Sequence, residues 1–131
     1  MIYTLPMFSS LLSELPQLTF SGTTICINLK GYDCDDIYSE VELIFQEVHY
    51  FSKTNALFSA DTIEAYDKVL EIFNSSIILQ LMEANRNLFE EMNKRQELKH
   101  YSLYLDGYDG YNIVCKSIEI KELSDFKAIN N

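Results

Sequence analysis

The sequence predicts an α+β fold: a small, mostly antiparallel sheet with about three helices packed on one face and a C-terminal β-hairpin. Three observations predict it. Apolar residues alternate with period two early in the chain and again near its end. Between those runs they recur at helical spacing. The run "YLDGYDGYN" sets two glycines between strand-like flanks, where a hairpin needs positive φ.

The elements follow in order. In "QLTFSGTTICINL", residues 17–29, Leu18 and Phe20 alternate, then Ile25, Ile27 and Leu29. The Ser21-Gly22 interruption fits a short hairpin or one strand bulged at the glycine, and we read a strand at about 23–29. Ile37, Val41, Ile44, Phe45 and Val48 recur at i, i+4, i+7, i+8 and i+11, predicting a helix whose first turn Asp33 or Asp35 caps. On that helix Asp36, Glu40 and Glu47 share one flank. A short strand near 48–51 leads into a loop. Asp61 and Glu64 have capping-box spacing, and Ile63, Tyr66, Val69, Leu70 and Phe73 carry a helix through about 73.

Asn74-Ser75-Ser76 reads as a break and a new N-cap, and Ile77, Ile78, Leu81, Met82, Leu88, Phe89 and Met92 carry a long helix to about 97. Tyr101, Leu103 and Leu105 then share one strand face, with Ser102 and Tyr104 on the other. Ile113 and Cys115 share a face, but Ile118 and Ile120 have the opposite parity, which a bulge near Lys116-Ser117 would reconcile. Residues after Leu123 are expected to fray.

A chain of 131 residues fits one domain, and 47% hydrophobic with 13% aromatic residues argues for a packed core against disorder. Repeats and low-complexity tracts are absent from the sequence. The first residues lack the basic segment and cleavage site of a signal peptide, and no apolar run approaches the ~20 residues that span a bilayer, so a cytoplasmic location is expected. Three cysteines, Cys26, Cys34 and Cys115, without CxxC spacing describe neither a disulfide framework nor a zinc site.

Charge is the most informative bulk property. The net charge is −10, and residues 1–72 hold eleven acids against three lysines, a balance of −8. From Gly31 to Ser52 there are six acids and neither Lys nor Arg. Such a field repels nucleic acid and anionic lipid, and speeds encounter with a basic protein.

The chemistry-bearing candidates narrow the function further. "DCDDIYSEVE" lacks the central glycine of a calcium loop, and "DGYDG" offers too few ligands; helix capping and turn formation account for both. His49 and His100 are the two histidines, and GxSxG, HExxH and P-loop patterns are absent. No catalytic residue, metal or cofactor is therefore expected. A small enzyme with a site near His100 and the 106–110 loop is one alternative, and an acidic adaptor or regulatory domain is another. Nine tyrosines and eight phenylalanines could stack bases, but acids outnumber bases two to one, which excludes a nucleic-acid partner.

Partner-binding candidates are Asp33, Asp35, Asp36, Glu40, Glu42 and Glu47. A second patch comprises Asp106, Tyr108, Asp109 and Tyr111, where tyrosines offer contact area at low entropic cost and aspartates can pair with Lys or Arg.

The segment from Phe51 to Ile120, where "TNALFSADTIEAYDKVLEIFNSSIILQL" leads into "HYSLYLDGYDGYNIVCKSIEI", resembles small immunity proteins of bacterial polymorphic-toxin systems, including contact-dependent growth inhibition. The resemblance implies a single-domain cytoplasmic protein that binds a cognate toxin domain, often a basic nuclease. It would neutralise the toxin by covering its active site or substrate surface. It implies no catalysis and no cofactor, and the acidic charge and short apolar runs argue against a membrane partner.

Overall fold

The computed structural model describes residues 1–95 and 97–123. The expected fraying after Leu123 lies outside them. The fold is α+β and sheet-dominated. Its strands are β1 (Ile2–Thr4), β2 (Gln17–Ser21), β3 (Thr24–Tyr32), β4 (Tyr38–Gln46), β5 (Tyr50–Asn55), β6 (Lys68–Ile72), β7 (Lys99–Tyr104), β8 (Asp109–Cys115) and β9 (Ser117–Glu122). Helices α1 (Ser76–Ala84) and α2 (Arg86–Arg95) lie between β6 and β7, and short 3-10 turns occupy Ser9–Leu11, Ala56–Phe58 and Ala60–Ala65. The strands form two antiparallel sheets, ordered β1-β6-β7-β8-β5 and β2-β3-β4-β9.

The sheets share one core. Ile27, Leu29, Val41, Leu43 and Phe45 of the four-stranded sheet meet Tyr101, Leu103, Tyr111, Ile113 and Cys115 of the five-stranded sheet. Across that junction the rings of Phe45 and Tyr101 sit 6.2 Å apart. Removing this apolar area from water is the main favourable term in holding the two sheets together.

Several expectations are corrected. The helix predicted over 37–48 is strand β4. Ser39, Val41, Leu43 and Phe45 alternate inward while Glu40, Glu42 and Ile44 face outward, half-buried. The helical stripe used Ile44 and Val48 and passed over Leu43, which is fully buried. The Asp61–Glu64 capping box starts no α-helix: a 3-10 turn runs from Ala60 to Ala65 and β6 follows. At Asp67 the backbone enters the left-handed region, φ 53°, which ends any helical run there. The long helix expected to 97 breaks at Asn85, whose Oδ1 accepts from Leu88 N–H and starts α2.

The fourth correction concerns the chain end. β7 and β8 pair across the 105–108 turn, but the run to Ile120 is not one bulged strand. At Lys116 the chain leaves the five-stranded sheet, and β9 pairs with β4 of the other. Ile118 and Ile120 reverse parity because they approach the same core from the opposite sheet.

The expected packing of helices on a sheet face is not seen for α1, which carries no buried residue. The outer side of β7 and β8 is covered instead by the 3-10 turn at 60–65, with Thr62 and Ala65 buried. Gly110 permits the approach: a Cβ there would stand 2.6 Å from the Ser59 Cβ. Early in the chain, the Ser21-Gly22 interruption is a hairpin: Ser21 pairs with Thr24, and Gly22, at φ 59°, and Thr23 make the turn between β2 and β3.

Candidate functional site

The β3–β4 turn carries Asp33, Asp35 and Asp36. Asp33 Oδ1 accepts from the N–H groups of Asp35 (2.8 Å) and Ile37 (3.0 Å), and Asp36 sits at φ 60°. These bonds fix the turn and leave the Asp35 and Asp36 side chains exposed. The β7–β8 turn carries Asp106 and Asp109. It closes through Leu105 N–H to Asp109 O (2.9 Å) and Tyr108 N–H to Leu105 O (3.0 Å), with Gly107 at φ 80°.

The segment after β1 brings the two turns together. Phe8 N–H donates to Tyr32 O (3.1 Å), while the buried Ser9 hydroxyl accepts from Asp106 N–H (3.0 Å). Asp67 joins the same end: its Oδ2 accepts from Ser9 N–H (3.2 Å), and its Oδ1 is buried without a partner among the described residues. Beside it opens a cleft of about 390 Å³ lined by Thr4, Leu5, Phe8, Tyr66 and Lys68. The Tyr66 hydroxyl donates to Asp106 Oδ2 at 3.1 Å, and burial, followed by that carboxylate, raises its pKa. Lys53 lies 3.8 Å from Asp109. One end of the sandwich thus gathers Asp33, Asp35, Asp36, Asp67, Asp106 and Asp109.

The remaining predicted residues divide. Glu40 and Glu42 project from the outer face of the four-stranded sheet, where Lys30 stands opposite Glu40 and Lys121 opposite Glu42. Glu47 sits past the far end of β4. Asp36, Glu40 and Glu47 therefore share no helical flank, which a strand cannot provide. Tyr111 is fully buried in the core and cannot be a contact residue. Its buried hydroxyl has no partner of good hydrogen-bond geometry among the described residues, and burial, then the nearby Asp109 carboxylate, pushes its pKa up. Tyr108 is half-buried against the core. Asp67, which the sequence reading passed over as a helix residue, belongs to this end; a stop signal before β6 would have flagged it.

His100 and the 106–110 loop form no common site. They lie at opposite ends of β7, and His100 is on the sheet's outer side. There it belongs to a chain of polar groups. Asn112 Nδ2 donates to Asp61 Oδ2 (3.1 Å), which turns Asn112 Oδ1 toward His100 Nε2 (2.8 Å) and toward the donating hydroxyl of Ser102 (2.7 Å). An amide oxygen only accepts, so Nε2 carries the proton. Nδ1 is then a bare acceptor, and the Ser75 hydroxyl donates to it at 2.7 Å. Ser75 also caps α1, accepting from Ile78 N–H at 3.1 Å. The capping role was readable from the sequence; the pairing with His100, 25 residues away, had no local signal.

Among the described residues, no group of three or more His, Cys, Asp or Glu is placed to hold a metal ion. Nor is any helix there long and apolar enough to cross a membrane. The chain matches no protein-family model, no curated protein and no solved structure.

Proposed function

We propose that the chain is an immunity-type binding protein that neutralises a cognate, basic toxin domain through its acidic end. The observation that carries this reading is the Ser9 bridge, which links the 33–36 turn, with three aspartates, to the 106–109 turn, with two, at one end of the fold. Lys53 and Lys68 are the bases beside it. A nuclease binds phosphate with a groove of Lys and Arg. Rigidly held carboxylates can enter that groove, repel its substrate by occupying the site, and accept bidentate hydrogen bonds from arginine. Pre-organised turns keep the ordering cost of binding low. Glu40 and Glu42, next to lysines, contribute less to the field.

The test is co-expression with the product of the gene immediately upstream. A triple variant, Asp35→Lys, Asp36→Asn and Asp106→Asn, should lose capture of that product while keeping a cooperative melting transition, because asparagine tolerates the positive φ at 36 and still accepts from the Tyr66 hydroxyl. Raising salt from about 0.05 to about 0.3 M should slow association with the wild type. Capture unchanged in the triple variant would remove the acidic end from the interface.

A further inference from the structure

At the opposite end of β7 the structure assigns a second site: we propose that Ser75, His100 and Asn112 form a nucleophile–base–orienter set that hydrolyses small esters with apolar acyl chains. The reading goes beyond partner binding and does not depend on it. Three independent features converge. The distances, 2.7 Å from Ser75 Oγ to Nδ1 and 2.8 Å from Nε2 to Asn112 Oδ1, are those of a serine activated by an oriented imidazole. The tautomer follows from the Asp61–Asn112 contact, which holds the basic nitrogen toward the serine. And the pair opens on a cleft of about 490 Å³ walled by Phe73, Ile78, Leu79 and Met82, with Glu97 and Lys99 at its rim. Phe73 and Leu79 are 70% and 49% exposed, an apolar wall left uncovered beside the serine.

His100 is 5% exposed, and burial lowers its pKa from the usual 6.5, keeping the ring neutral and able to accept a proton at pH 7. Ser75 Oγ attacks the ester carbonyl carbon while its proton passes to Nδ1. Collapse breaks the C–O bond, and the departing alkoxide takes that proton. Water then adds to the acyl carbon, giving its proton to Nδ1, and Ser75 leaves and is reprotonated, so the sum is ester plus water to acid plus alcohol. The first-turn N–H groups of Ser76 and Ile77 have no acceptor within the helix, and donors of that kind are what an oxyanion formed beside Ser75 requires.

The experiment treats the full chain with a fluorophosphonate, locates the adduct by peptide mass spectrometry, and follows hydrolysis of p-nitrophenyl butyrate. The expected result is one adduct on Ser75, and turnover that falls to the uncatalysed rate in Ser75→Asn. Asparagine keeps the helix cap but supplies no nucleophile. No adduct on the folded protein, an adduct on another residue, or equal turnover by Ser75→Asn would overturn the assignment. If Ser75→Asn fails to fold, the position of the wild-type adduct decides.

Discussion

The backbone N–H of Asp106 donates to the hydroxyl of Ser9 at 3.0 Å, across 97 residues of sequence. That bond ties the β7–β8 turn of one sheet to the segment that also holds Tyr32, at the end of the other sheet. Ser9 is fully buried, and Ser9→Ala leaves the Asp106 N–H without its acceptor. We expect a loss of about 1–2 kcal/mol in urea unfolding. We also expect weaker partner capture at temperatures where the variant is still folded, because the two acidic turns are no longer fixed to each other. Wild-type stability in the variant would show that the bond does not hold the turns.

Leu43 and Ile44 separate strand from helix in a single comparison. In β4 Leu43 faces the core and is fully buried, while Ile44 is half-buried on the outer face between Cys26 and Glu119. Leu43→Ala should cost about 2–5 kcal/mol and Ile44→Ala distinctly less. A helix over 37–48 demands the reverse order, so thermal unfolding of the two variants decides between them.

That same stretch shows what the sequence made legible and why the rest was hidden. "YSEVELIFQ" carries a clean period-two alternation, yet Ile44 and Val48 complete a helical stripe with Val41 and Phe45. Over so short a run both periods fit, and tertiary pairing with β3 and β9 chose between them. The Ser75 cap and the two-faced "HYSLYL" strand were visible because each rests on local chemistry. The switch of sheets at Lys116 was visible as a parity change, but two-sheet topology was needed to interpret it. The acidic residues were legible one by one. Their meeting depends on Ser9, a residue with no charge and no motif.

At Gly110 the 3-10 roof leaves no room for a side chain on β8. A methyl group there would stand 2.6 Å from the Ser59 Cβ and also meet the Thr62 hydroxyl. Gly110→Ala should cost about 1–3 kcal/mol by displacing residues 59–62. Faster proteolysis within that turn, with the β4 core still protected from hydrogen exchange, would locate the damage. Unchanged stability and unchanged cleavage would mean the roof sits further away.

The buried imidazole of His100 makes stability depend on pH in a defined direction. Its pKa in the folded chain is lowered from 6.5 by burial, against weaker opposing effects of Asn112 and Asp61. Below 6.5 the unfolded chain binds a proton that the folded chain refuses, so stability falls as pH drops from 6.5 toward the folded pKa. Melting temperatures measured between about pH 7.5 and 5.5, above the range of ordinary carboxylates, should fall more steeply for the wild type than for His100→Gln. Parallel slopes would place the imidazole in solvent.

The three thiols should react in order of burial. Cys34 is exposed in the β3–β4 turn, Cys26 is half-buried on the outer sheet face, and Cys115 is fully buried, its pKa pushed up to about 12 by burial. Only the thiolate attacks a disulfide reagent, so both access and ionisation protect Cys115. Titration of the native protein with an aromatic disulfide at pH 8 should modify Cys34 first and Cys26 more slowly, with Cys115 reacting only after urea unfolding. Because the folded thiol refuses deprotonation that the unfolded one accepts above its ordinary value of 9.0, Cys115 also contributes stability that is lost as pH rises from there toward 12. Cys115→Ser should flatten that alkaline limb while lowering stability at neutral pH, since it buries a hydroxyl where the sheets meet. Rapid modification of all three thiols in the native state would contradict the placement of Cys115 in the shared core.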